Sequence, residues 1–119
     1  MNAINLAEKF KSVPGPYVPR IVGELNGQYV KLVRFKGPFV MHQHVGEDEM
    51  FLVVKGSFRM EYRDRNVVVR EGEFVIVPRG VEHCPVADEE CQVLLFEPNS
   101  TLNTGDVQDK LTQENLEWV

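Results

Sequence analysis

Apolar residues recur along this chain in two rhythms. Near the start, Leu6, Phe10 and Val13 fall on one face at helical spacing. Asn5, with Glu8 three residues on, supplies a side-chain cap for an early helical amide. Pro14-Gly15-Pro16 ends that element, because proline lacks the amide hydrogen and restricts the residue before it. The pattern predicts one short amphipathic helix within an N-terminal arm, residues 1–16. From Tyr17 onward the apolar positions come in short runs between turn residues. Asn26-Gly27 between two such runs is a strong hairpin signal, since both residues tolerate positive φ. Strands are predicted at residues 21–25, 28–35, 39–44, 50–54, 57–63, 66–70, 73–77, 83–87 and 92–97.

About nine strands joined by short turns make an antiparallel all-β barrel or sandwich. Within residues 28–35, alternation puts Tyr29, Lys31, Val33 and Phe35 on one face and Val30, Leu32 and Arg34 on the other. Residues 50–54 are nearly all apolar, as in a strand covered on both faces. Asp88-Glu89-Glu90 reads as a separator turn. Such a turn sets Cys84 opposite a position near Leu94, so Cys84 and Cys91 are expected to be unpaired buried thiols in a reducing cytoplasm. After Pro98 the apolar density drops. Residues 98–119 form a tail, with an ordered loop at 99–109 and anchors at Leu111, Leu116 and Trp118.

Composition narrows the function classes. The 119 residues suit one domain, 1–119. Thirteen Lys plus Arg against eighteen Asp plus Glu leave a formal net charge of -5. That surface repels phosphate backbones and anionic lipid, so neither nucleic acid nor membrane is the expected partner. The longest uncharged run, residues 37–46, is far short of a bilayer span, and the first residues do not form a secretory signal. A cytoplasmic protein with a small-molecule ligand is the expectation.

The chain has three histidines, His42, His44 and His83. On a strand, His42 and His44 project from one face about 6–7 Å apart and can converge on one cation. Glu49, beyond a glycine-containing loop, can aim a carboxylate into the same space, and the turn Pro78-Arg79-Gly80 can bring His83 back across the sheet. Three imidazoles and a carboxylate suit a divalent Mn, Fe, Ni, Cu or Zn ion. Arg34, Gln43, Glu47, Tyr62 and Arg79 are polar residues placed near the expected rim. Met41, Met50, Met60, Phe39, Phe51 and Phe58 read mostly as core, with some lining the pocket.

These residues stand in a frame that resembles the cupin superfamily. Its first motif, G-x5-H-x-H-x(3,4)-E-x6-G, is met at residues 37–56 by Gly37, His42, His44, Glu49 and Gly56, with Gly37 one residue too close to His42. Its second, G-x5-P-x-G-x2-H-x3-N, is met at residues 72–87 by Gly72, Pro78, Gly80 and His83, with Ala87 in place of the final Asn. The flanking segments resemble small single-domain bacterial cupins often labelled mannose-6-phosphate-isomerase-like. The resemblance implies a double-stranded β-helix, the cupin jelly-roll barrel, with His42, His44, Glu49 and His83 binding a divalent metal in its mouth. A sugar-phosphate activity does not carry over, because there is no Gly-rich phosphate loop and no dense Lys/Arg cluster.

Such a site points to a metal-dependent enzyme acting on a small oxyanionic metabolite, with dioxygenase-type chemistry favoured and an isomerase or lyase step next. A non-catalytic binding or sensing module and a structural domain with a vestigial site are the other readings. The catalytic residues are not named by the sequence. A homodimer is expected, because the Leu6/Phe10 helix and the Leu116/Trp118 tail have no obvious home on a small barrel and can dock on a twofold mate.

Overall fold

At Asn26-Gly27 the chain reverses with both residues in left-handed backbone, φ 52 and 77, the conformation that lets two twisted strands meet without splaying. In the computed structural model, which describes residues 1–119, this turn joins β1 (Arg20–Leu25) to β2 (Gln28–Pro38). Helix α1 (Leu6–Phe10) precedes them, and β3 (Glu49–Lys55), β4 (Ser57–Tyr62), β5 (Asn66–Arg70), β6 (Phe74–Val77) and β7 (His83–Pro98) follow. All strand pairings are antiparallel. The main sheet runs β1-β2-β7-β3-β6, while β4 pairs with β5 on one side and with β7 on the other. The product is the expected all-β jelly-roll barrel with a short N-terminal helix.

Seven strands stand where nine were expected, and the two differences have separate causes. The predicted strands at 83–87 and 92–97 are one strand, β7. Its beginning pairs with β4, from Tyr62↔His83 to Arg59↔Val86, and its end with β2 and β3. Phe35 faces Cys91 whereas Gly37 faces Ala87, so the intervening residues of β7 bulge. Asp88, Glu89 and Glu90 are therefore exposed bulge residues and not a turn. Arg59 holds Asp88 at 3.0 Å, and Arg34 holds Glu90. Cys84 and Cys91 lie on this one strand as free buried thiols, and Cys84 faces Glu61 instead of a position near Leu94.

The second difference is at 39–44. Only His42 makes a β-bridge there, to His83. Gly37, with φ 74, and Pro38 turn the chain out of regular pairing. What remains is Phe39 N–H donating to Pro85 at 2.9 Å and a reciprocal backbone pair between His42 and His83 at 3.0 and 2.8 Å.

The barrel interior is apolar, with Phe35, Phe51, Val53, Met60, Val93 and Leu95 among its buried members. A second, smaller core lies outside the main sheet. Phe10, Val13, Val22 and Leu32 are buried there, with Leu6, Val54 and Leu94 packed against them. This explains why residues 50–54 are apolar on both faces. Burying a side chain such as Phe10 contributes about 1.5–3 kcal/mol.

Asn5 caps α1 by accepting from the Glu8 amide at 3.0 Å. Arg34 anchors the other end, donating to the carbonyls of Phe10 (2.6 Å) and Val13 (2.9 Å). Arg34 is thus a clamp on the N-terminal arm and stands outside the barrel mouth. The C-terminal residues also find a home on the same chain. Ile21 N–H donates to Glu117 and Val119 N–H to Ile21, at 2.9 and 3.0 Å, and the Trp118 ring meets Tyr29 edge-on. Both segments make contacts with their own barrel, with Trp118 left exposed. No helix is long and apolar enough to cross a membrane.

Candidate metal centre

The backbone pairing of His42 with His83 places two imidazoles on facing positions, with ring centroids 4.3 Å apart. His44 follows two residues on, and Glu49 opens β3. All four side chains are buried, and one donor atom from each lies within 4.8 Å of the other three. The structure brings together the four residues that the sequence singled out. The sequence reading erred in the carrier, since His42 and His44 sit on an irregular segment and their rings approach to 4.9 Å between centroids.

Hydrogen bonds fix which nitrogens face inward. His42 Nδ1 lies 2.8 Å from the Val40 carbonyl and His83 Nδ1 2.8 Å from the Val81 carbonyl. A carbonyl only accepts, so each Nδ1 carries the proton and each Nε2 presents a lone pair. His83 Nε2 stands 3.4 Å from Glu49 Oε1, and neither atom has a hydrogen-bond partner. His44 Nε2 lies 3.1 Å from the same carboxylate oxygen and 3.2 Å from His42 Nε2. Lone pairs aimed at one another in a buried space require a cation or a proton between them. Two donors about 2.1 Å from one ion are about 3.0 Å apart at a right angle and about 3.4 Å apart at the tetrahedral angle. These three separations fall in that range, and all four donors lie within 4.8 Å of one another, so the donor set fits a divalent metal.

Burial, reinforced by His83, pushes the His42 ring down to about 4, so it is neutral and available as a ligand near pH 7. Burial alone would raise Glu49. The Glu97, His44 and His83 side chains beside it outweigh burial and hold the carboxyl well below the usual range. Glu97 goes the other way, raised by burial and by the Glu49 charge, with Lys31 offsetting only part.

A small cavity of about 30 Å³ lies beside these residues. His42 and Glu49 lie on its wall with Tyr17, Val33, Phe35, Phe39, Phe51 and Leu95. Phe51, Phe58 and Met60 are core as expected, while Phe39 is half-buried and lines the space. The rim residues of the sequence reading take other duties. Glu47 accepts from Ser100, Arg79 pairs with Asp48, and Tyr62 lies under the Arg65 guanidinium.

The tail does more than trail from the barrel. Asp106 accepts from the Gln43 amide at 3.0 Å and returns its own N–H to the Gln43 carbonyl at 3.0 Å. Residue 43 is thereby clamped between His42 and His44. Gly105 makes the close approach possible: a Cβ there would sit 2.1 Å from the Gln43 carbonyl oxygen, at φ +56. The Gly105→Ala variant is expected to release the strap and lose more than the ~1–2 kcal/mol that left-handed backbone alone costs. Faster cleavage within residues 99–112 in limited proteolysis, together with weaker metal retention, is the expected result. Unaltered cleavage would show that the strap tolerates the methyl group.

Residues 33–97 match the family described as Cupin_2, the cupin domain. The chain belongs to this family. This cupin is similar to a solved cupin-2 domain containing protein from Shewanella frigidimarina, at 39% identity and TM-score 0.80, over 82% of this chain and 95% of that one. It is also similar to protein NMB1881 from Neisseria meningitidis, at 27% identity and TM-score 0.75, over 82% and 100% of the two chains. The uncharacterized protein YdbB of Bacillus subtilis is 29% identical over 63 residues. That match spans about half of each protein, 52% of this cupin and 56% of the relative.

Four residues around the site went unread in the sequence: Lys31, Glu97, Asn103 and Asp106. The first two had a signal. Alternation puts Lys31 on the face of Val33 and Phe35, and Glu97 on that of Val93 and Leu95, so both were inward-facing charges.

Proposed function

We propose that this cupin is a metal-dependent enzyme acting on a small oxyanionic metabolite, with dioxygenase-type chemistry first and an isomerase or lyase step second. The observation that carries the reading is a set of four converging donors, two of which, His42 and Glu49, line an aromatic cavity. A divalent ion on these residues supplies Lewis acidity and, when redox-active, a place for dioxygen. Four protein ligands leave about two positions of an octahedral set open. One carboxylate against a 2+ ion leaves a local charge of about +1, which favours an anionic oxygen donor.

The cavity wall shapes the rest of the substrate. Tyr17 donates its hydroxyl to the Gly37 carbonyl at 2.5 Å, so it is not free for a ligand. Burial raises that phenol further from ionisation. Asn103 is also engaged, donating to Leu111 and accepting from the Gln113 amide. A sugar's hydroxyls would find few partners among Phe35, Phe39 and Phe51, and each one buried unpaired is costly. An enolate, catecholate or 2-oxo acid with an apolar, flat body matches that lining better. A ring-opening dioxygenase step on such a catecholate balances without external reductant, since both atoms of one O₂ enter the product as one carbon–carbon bond breaks.

The test is oxygen uptake by metal-loaded protein over a panel of catechols, enolisable aryl ketones and aryl 2-oxo acids, with products followed by mass spectrometry. Turnover of a panel member is expected. Compounds that raise the melting temperature and are recovered unchanged would favour the non-catalytic binding module instead.

A further inference from the structure

Behind Glu49 lies a buried pair that the ligand set does not include. Lys31 Nζ is 2.8 Å from Glu97 Oε1 and 3.5 Å from the Thr101 carbonyl, and both side chains are 1% exposed. Glu97 stands one residue beyond the Met50↔Phe96 pair on β7, as Glu49 does on β3, so the two carboxyls occupy facing inward positions. Glu97 Oε2 is buried without a hydrogen-bond partner. Like charges on facing strand positions repel, and a buried ion pair is a poor source of stability compared with apolar residues of the same volume. A barrel built only to fold has no use for a lysine and two glutamates in this row.

We infer that Lys31 and Glu97 are positioning residues for Glu49: the ammonium fixes Glu97 on the strand position facing Glu49, and Glu97 closes the space behind the Glu49 carboxylate so that it points toward the three imidazoles. This rests on the reading of His42, His44, Glu49 and His83 as a metal centre. Two features support it. His42 and His83 each have a backbone carbonyl to orient the ring, whereas Glu49 has no backbone donor and must be oriented by its side-chain neighbours. The pair is also anchored: Lys31 Nζ reaches both Glu97 and the Thr101 carbonyl, so the side chain facing Glu49 is fixed from behind. Outer partners of this kind set ligand geometry and affinity in metal sites generally.

The experiment compares the full chain with two variants, each stripped of metal and titrated with Co(II), whose visible bands report coordination. Lys31→Met/Glu97→Leu replaces the pair by apolar groups of similar size and is expected to fold. Its Co(II) affinity is expected to fall about 10–100-fold, with shifted bands. Glu97→Asp keeps the charge but shortens the reach, and is expected to weaken binding and shift the bands in the same direction. It serves as the test even if the double variant does not fold. A merely structural role would move the melting temperature of the metal-free protein and leave the Co(II) bands alone. Variants that bind Co(II) with natural affinity and spectrum overturn the inference and leave the metal centre standing. A natural chain that takes up no Co(II) overturns both.

Discussion

The Glu49→Gln protein is expected to lose tight metal binding and, with it, most of the stabilisation that metal gives the natural chain. The two effects share one cause. Glu49 is the one anionic donor among the four side chains, and its Oε1 stands 3.1 Å from His44 Nε2 and 3.4 Å from His83 Nε2. An ion at a hundred times its dissociation constant stabilises the folded natural chain by about 2.7 kcal/mol, or roughly 10 °C for a chain of this length. The variant gains little, because a neutral amide is a poor ligand for a divalent ion. Melting curves in chelator and in excess Mn(II) check this. A variant with the metal-induced shift intact would contradict the account.

Lys31→Met alone is expected to be the more damaging substitution for the fold. It leaves Glu97 buried, without its ammonium and facing Glu49. Breaking one side of a buried pair costs about 3–5 kcal/mol, which lowers the melting temperature by roughly 10–20 °C. Glu97→Leu added to the same protein removes the stranded group and restores most of the loss. Non-additivity of that sign is the mark of two groups acting as a unit. Thermal or urea denaturation of the two singles and the double measures it. A Lys31→Met protein within about 1 kcal/mol of the natural chain would mean that the pair is worth no more than a surface bridge.

The features legible in the sequence are those whose chemistry acts over a few residues. Asn5 caps by its own side chain, Asn26-Gly27 adopts positive φ on its own account, and both were read correctly. His42, His44, Glu49 and His83 were legible because ligand residues are rare and their spacing is constrained by where strands place side chains. Asp88-Glu89-Glu90 was misread because acidity reports exposure and says nothing about direction. A bulge and a turn expose the same residues, and only the pairing partners on β2 and β4 distinguish them. Residues 39–44 were misread as a strand because Gly37 and Pro38 turn the chain out of register just before an apolar run. The strap at Gly105 and Asp106 depends on a contact with Gln43, about sixty residues away, which no local pattern encodes.

The central claim is that four side chains, distant along the chain, hold one ion. Elemental analysis after stripping, reloading in turn with Mn, Fe, Ni, Cu and Zn, and desalting tests it most directly. The account predicts about one ion per chain for at least one of these metals, and its loss in the His83→Ala protein. Trace content for all five metals, or full occupancy that survives His83→Ala, would contradict it.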